Sequence, residues 1–394
     1  YGADASSTSI DTNYKEFVKE ALDSASKTVN FAEFATAGKV PMVSVMYAGP
    51  GQHSSREDGF EDYLWARFSS GTSFSVNDGA VTVSSFFLGD ELFQNYNIND
   101  DGGYVPISAN FDGIGLFCHE FSHALGLPDL YYTGKNTTIS KTIRTMGYWD
   151  LMDYGQYMYN GYYPPAYSAY ERSFLGWLDI KELTDPEFVT LYPSGSEDLG
   201  PTACVIRNPE NEKEYYIFQN RQDRTWYHAN FLGHGLLVTH VDYSASLWTS
   251  NSVNNEPDHR RVMYVPADNG YNLTYRQSGE SSTDFWNTYR NDLFPGGLGV
   301  KDFTDTTTPS ADVFTPSGKL GAPVYGITEH ADGTITFAFL EKSLTGVQGV
   351  TTEENGTATE VYGINGRRLP GLQGAAPGVY IVRQGDTVRK VLVK

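Results

Sequence analysis

The sequence predicts an α+β protein built in consecutive parts. A region of mixed helices and strands covers residues 1–185, an antiparallel β-sandwich 186–343, a linker 344–358 and a small β-domain 359–394. Three observations carry that expectation. Helical and strand-like periodicities alternate up to about residue 185. Beyond it come short apolar runs separated by Gly, Asn, Asp and Pro turns. The segment LTGVQGVTTEENGTA then combines Thr and Gly with few large apolar side chains, as linkers do.

Within the first region, TNYKEFVKEALDSAS (12–26) sets Phe17, Val18, Ala21, Leu22 and Ala25 on one side of a helix. VPMVSVMYAG (40–49) and GAVTVSSFFLG (79–89) are β-branched apolar runs that read as strands. A second helix is expected through GIGLFCHEFSHALG, with Ile114, Leu116, Phe117, Phe121 and Leu125 as core. PPAYSAYERSFLGWL (164–178) predicts a helix that opens with prolines, where the missing N–H costs nothing. EYYIFQNR (214–221), HGLLVTHVDY (234–243), RRVMYVPA (260–267) and GTITFAFL (333–340) are the sandwich strands. The tail holds three short strands around N-G and Q-G-D turns.

Composition narrows the function. Charged residues are only 19% of the 394, while Tyr (28) and Gly (40) are abundant, which suits a β-rich, loop-rich extracellular protein. A net charge of −20 repels phosphate backbones and anionic lipid, so no nucleic-acid partner is expected, and acidic clusters favour Ca2+ instead. No apolar run reaches the ~20 residues that span a bilayer, so no membrane insertion is expected. No leader pattern opens the chain, so it reads as the trimmed form of a secreted or cell-surface protein. The two cysteines, Cys118 and Cys204, allow one disulfide, and Cys118 reads as a buried free thiol.

The chemistry concentrates in HEFSHALGLPD. His119 and His123 are four residues apart, which stacks them on one helical face within reach of one cation. Glu120 lies beside the first histidine, placed to serve a water without ligating the metal. Gly126 ends the helix, Pro128 keeps it from resuming, and Asp129 returns as an oxygen ligand. H-E-x-x-H alone arises by chance in roughly one chain in a hundred of this length, and requiring the Gly and Asp cuts that by about two orders of magnitude. A core helix explains the apolar residues but gives no reason to bury a carboxylate among them.

A second stretch, YWDLMDYG (148–155), joins it. Together the two resemble the metzincin clan of zinc peptidases, in which a tight turn places a methionine beneath the metal. Met152 matches that methionine, and Tyr154 matches a tyrosine that helps stabilise an oxyanion in some members. More narrowly, HEFSHALGLPDLY, WDLMDYG and SFLGW (173–177) resemble the immune inhibitor A family of secreted metallopeptidases. RNPENEKEYYIFQNRQ and GHGLLVTHVD extend the likeness to about residue 340. The resemblance implies a metzincin-like catalytic domain and a secreted endopeptidase acting on proteins or peptides. It implies Zn2+ held by His119, His123 and Asp129, Glu-assisted attack of a zinc-bound water through Glu120, and Ca2+ as a structural cation. Two departures stand out. Family members carry another strand and helix ahead of the region where this sequence starts. The acidic calcium-type loop near FATAGKVPMV lacks its acids here. The tail, with VYGINGRRL, GVYIVR and VRKVLVK in order, resembles the C-terminal sorting domains of type IX secretion substrates, which implies the secretion machinery as a partner.

Other residues compete for these roles. Glu171 is the rival third ligand. NINDDGG (97–103) has the oxygen density of a calcium loop, but Ser108 stands where an EF-hand loop needs its Glu. His234, His240 and Asp242 alternate on one strand face, either as a second metal site or as structural residues. His53 reads as a cleft-lining or exposed loop residue. The competing function is a surface-binding protein or adhesin that retains an inactive metallopeptidase core.

Overall fold

The computed structural model of the chain describes residues 2, 11–56, 59–98, 103–222, 232–272, 281–345, 360–364, 366–372, 375–384 and 387–393. The first helix, α1, spans Tyr14–Ala25 and buries Val18 and Leu22, as its spacing predicts. It covers a mixed sheet of five strands: β1 (Lys39–Val40), β2 (Val43–Pro50), β3 (Arg67–Val76), β4 (Val81–Ile98) and β5 (Tyr104–Phe111). The long β4 runs parallel to β1 and β2 and antiparallel to β3 and β5. Phe86 and Leu88 of β4 pack in one cluster with Val18, Leu22 and Phe74.

The metal-motif helix α2 (Ile114–Ala124) follows β5 directly. Its first turn runs backbone against backbone along residues 156–161. Gly113 and Gly115 N–H donate to the carbonyls of Asn160 and Gly161, and a Cβ on Gly115 would lie 2.0 Å from the Gln156 carbonyl oxygen. Only glycine permits that approach. At the other end Gly126 takes φ +96°, the left-handed conformation that turns the chain back toward Pro128 and Asp129.

Further along, β6 (Lys181–Glu182), β7 (Glu187–Leu191), β8 (Ala203–Asn208), β9 (Asn211–Arg221), β10 (Gly235–Asp242), β11 (Val262–Val265), β12 (Val324–Glu329) and β13 (Ile335–Phe339) form two sheets. Their orders are β11-β10-β9-β8-β6 and β12-β13-β7. The expectation of an all-antiparallel arrangement needs one correction: β6 pairs parallel with β8. Side chains of β8, β9 and β10 alternate between two cores, as period two requires. Cys204, Phe218, Leu236 and Val238 meet Val189, Phe337 and Phe339 of the smaller sheet. Val205, Ile217, Leu237 and Val241 on the opposite face meet Leu130, Trp149, Met152 and Met158. The larger sheet therefore forms the floor under the segment that carries Met152.

The tail folds into four antiparallel strands rather than three: β14 (Glu360–Gly363), β15 (Arg368–Leu369), β16 (Gly378–Gln384) and β17 (Thr387–Val393), around Val361, Val382 and Val391. Most of the expected linker, residues 346–358, lies outside the described residues. Three further expectations are corrected. The helix at 164–178 covers only Ala169–Phe174. It starts from a capping box between Ser168 and Glu171, so the prolines precede it. Ile114, Phe117 and Phe121 are exposed and Leu125 half-buried, because α2 turns its polar side inward. Both cysteines are free, and Cys118 is only half-buried.

Candidate metal centre

The imidazoles of His119 and His123 lie with ring centres 4.9 Å apart and nearly perpendicular. Each is oriented by a backbone carbonyl. His119 Nδ1 is 2.9 Å from the Leu151 oxygen, and His123 Nδ1 is 2.8 Å from the Leu127 oxygen. A carbonyl only accepts, so each Nδ1 carries the hydrogen and donates, and each neutral ring presents a lone pair at Nε2. Both Nε2 atoms face the same oxygen, Asp129 Oδ1, at 3.1 and 3.3 Å.

Asp129 is aimed by a residue 122 positions away. Asn251 Nδ2 donates to Asp129 Oδ2 at 2.7 Å, and Asp129 N–H donates to Asn251 Oδ1 at 2.7 Å. That clamp fixes Oδ2 and turns Oδ1, which has no hydrogen-bond donor, toward the imidazoles. Three acceptor atoms thus converge, two of them on side chains that are 1% and 5% exposed. Acceptors packed this way need a cation between them. Ligands of a tetrahedral ion with bonds near 2.1 Å lie roughly 3.4 Å apart, close to the observed separations, and two nitrogens with one carboxylate are a zinc-type donor set. The half-buried His123 side leaves an approach for a further ligand. With no ion, protons take over that role. Burial alone would lower His119, but Asp129 reverses this and raises it to about 9. Burial likewise opposes ionisation of Asp129, yet the two imidazoles hold its carboxyl far below the usual range.

Glu120 is buried beside them, and its Oε2 accepts the Phe68 N–H of β3 at 2.5 Å. Burial raises its carboxyl above the usual range, against the pull of His119 and His123. A raised carboxylate next to a metal centre is suited to taking and returning a proton.

Residues 150–153 form the expected tight turn, with Asp153 N–H donating to the Asp150 carbonyl and Met152 fully buried. Leu130 N–H donates to the Met152 carbonyl at 2.8 Å, which ties the turn to the strand of chain just past Asp129. Asp153 accepts from the Thr145 hydroxyl and from Met146, Gly147 and Tyr154 N–H, so the turn is pinned from both sides. The Tyr154 ring sits edge-on to Tyr148 and Tyr157.

The rival residues lie elsewhere. Glu171 caps its own helix and pairs with Asp150, both fully buried. Burial and then the Asp150 charge push the Glu171 carboxyl well above the usual range. His240 bonds Glu214, Asp242 bonds His259 and Arg261, and His234 bonds Glu329, so these three do not converge. In NINDDGG, residues 99–102 lie outside the described ones. His53 is buried between Asp90 and Asp112, contrary to an exposed loop position. Sequence reasoning missed Asn251, the Phe68 N–H and Tyr131, whose ring stacks on His119 at 6.2 Å. Only Tyr131, two residues past Asp129, had a local signal.

Residues 1–178, which hold the histidines, Glu120, Asp129 and the Met152 turn, match the family described as Immune inhibitor A peptidase M6, catalytic domain. The resemblance read from the motifs is therefore found over that stretch. Two curated relatives are similar in part: the pre-pro-metalloprotease PrtV of Vibrio cholerae serotype O1, strain M66-2, and that of strain ATCC 39315 / El Tor Inaba N16961. Each is 25% identical over 266 residues, covering 57% of this chain and 27% of the relative. The chain thus spans about a quarter of their length. Both relatives are metalloproteases by name, and His119, His123 and Asp129 of this chain form a group that could hold a metal ion.

Proposed function

We propose that this protein is a secreted zinc endopeptidase of the metzincin type, in which His119, His123 and Asp129 hold the ion. The observation that supports it most is the convergence of two Nε2 lone pairs and Asp129 Oδ1, with each Nδ1 already committed to a backbone carbonyl. Zinc, when bound, supplies a Lewis acid that acidifies water and polarises a carbonyl. The remaining work falls to side chains. Glu120 takes a proton from the attacking water as its oxygen bonds to the scissile carbonyl carbon, and passes that proton to the leaving amine as the C–N bond breaks. Tyr154 donates to the oxygen that gains charge. Met152, buried in one cluster with Leu127 and Leu130, anchors the turn whose Leu151 carbonyl accepts from His119. The β-rich region 186–343 supports that turn, and the tail 359–394 serves as a sorting address. Support for export comes from the acidic, Tyr- and Gly-rich composition and the order of the tail motifs. No helix among the described residues is long and apolar enough to cross a membrane.

Casein cleavage tests the activity. Cleavage should stop with a chelator and return with zinc, whereas an adhesin with an inactive core would show none. Glu120→Ala should keep the zinc and lose hydrolysis, and full activity in that variant removes Glu120 from the mechanism.

A further inference from the structure

A second group of metal-capable side chains lies in the first sheet. His53 follows β2, Asp90 lies on β4, and Asp112 joins β5 to α2. One donor atom from each falls within 4.8 Å of the others. Their side chains are 2%, 0% and 8% exposed. His53 Nδ1 is 3.6 Å from Asp90 Oδ1, and His53 Nε2 is 4.0 Å from Asp112 Oδ2. Both separations are too long for hydrogen bonds. Neither nitrogen of His53 has a hydrogen-bond partner, nor does Asp90 Oδ1.

Each carboxylate has its other oxygen tied to the backbone. Gly51 N–H donates to Asp90 Oδ2 at 2.8 Å, and Gly113 N–H donates to Asp112 Oδ1 at 2.9 Å. The free oxygens are thereby turned toward His53. Among the described residues no lysine or arginine pairs with either carboxylate. Arg56, three residues on, donates to the carbonyls of His53 and Ser55. Two buried carboxylates without a counter-charge are strongly unfavourable, and buried imidazole nitrogens are normally satisfied. The His53 ring cannot swing away easily, since it stacks on Tyr157 at 6.0 Å and meets Phe93 edge-on at 6.1 Å. A cavity of about 440 Å³, lined by Asp90, Glu91 and Asp112 among others, gives an ion a way in.

We propose that His53, Asp90 and Asp112 form a second metal site, for a divalent transition ion of the zinc class. The imidazole decides the class, because calcium and magnesium take oxygen ligands whereas imidazole suits zinc and its neighbours. Asp112 immediately precedes Gly113, the N-cap of α2. The ion therefore cross-links the loop after β2, the centre of β4 and the start of the helix that carries His119. Its role is structural, and the wild-type zinc count that tests it rests on the first centre holding zinc as proposed above.

Metal counting tests this. The full chain is stripped with a chelator, reloaded at buffered nanomolar free zinc, and measured by mass spectrometry for zinc and calcium. Wild type should hold two zinc per chain, and His123→Ala one. His53→Phe, which keeps a ring against Tyr157 and Phe93, should also hold one, and zinc should raise its thermal midpoint less than that of wild type. Asp112→Asn, which keeps the Gly113 bond, should behave the same way and covers the case that His53→Phe does not fold. No zinc in His123→Ala, as many zinc ions in either folded second-site variant as in wild type, or calcium in place of the second zinc would overturn the proposal, whereas one zinc in wild type that His123→Ala keeps would count against the first site alone.

Discussion

Helices α1 and α2 differ by one residue in length and follow opposite rules. α1 buries Val18 and Leu22 and turns its lysines and glutamates to water. α2 buries Gly115, Leu116, His119, Glu120 and Ser122 and leaves Ile114, Phe117 and Phe121 exposed. The first buries only apolar side chains, and its Lys19–Asp23 ion pair lies at the surface. The second carries buried ionisable groups that only a cation or trapped protons can compensate. The contrast teaches that α2 is selected for a site, and that its stability is borrowed from its surroundings. Those surroundings are the Leu127 and Leu151 carbonyls, the Asn251 clamp, the Phe68 N–H and the glycine contact with Gln156.

That contrast can be broken in ways of decreasing size. Leu22→Ala in α1 removes a fully packed side chain and should cost about 2–5 kcal/mol in denaturant unfolding. Activity per folded molecule should be unchanged. A loss of turnover without a loss of stability would erase the distinction between the helices. Glu171 extends the contrast to a third helix, where a carboxyl is again buried. Its folded pKa is raised, first by burial and then by Asp150. Stability from this group is therefore fully present below the unfolded carboxyl range near ~4.3. It drains away as pH rises toward the folded value. Glu171→Gln keeps a neutral side chain at every pH, so its unfolding midpoint should fall less than that of wild type between pH 5 and 8 (roughly the range of greatest stability for most proteins). Parallel pH profiles for the two would contradict the pairing. Phe121→Ser on the exposed side of α2 should change stability by no more than ~0.5 kcal/mol. A larger loss would mean that this face is covered in solution.

The two helices also mark what the sequence could and could not reveal. α1 and the strands at 40–49, 79–89, 214–221, 234–243, 260–267 and 333–340 were legible because their apolar spacing is local, whereas β3, β5, β7, β8 and β12 were not read from the sequence. The His119, Glu120, His123 and Asp129 string was legible because its spacing is also local, with Gly126 supplying the turn between His123 and Asp129. Reading the apolar residues of α2 as core failed because the pattern does not say which face meets the protein. The helix after Pro164 was overextended because the Ser168–Glu171 box, not proline, sets its start. Asn251 sits 122 residues from Asp129, and His53, Asp90 and Asp112 are brought together by strand pairing. Neither group has a spacing that a linear reading can detect.

The central claim is that His119, His123 and Asp129 share one ion. Anomalous diffraction at the zinc edge from crystals grown with zinc measures it directly. The expected result is a peak about 2.0–2.2 Å from both Nε2 atoms and Asp129 Oδ1, with Glu120 near it but outside bonding distance. A map with no peak there, or with Asp129 turned away from an ion held by other residues, would contradict it.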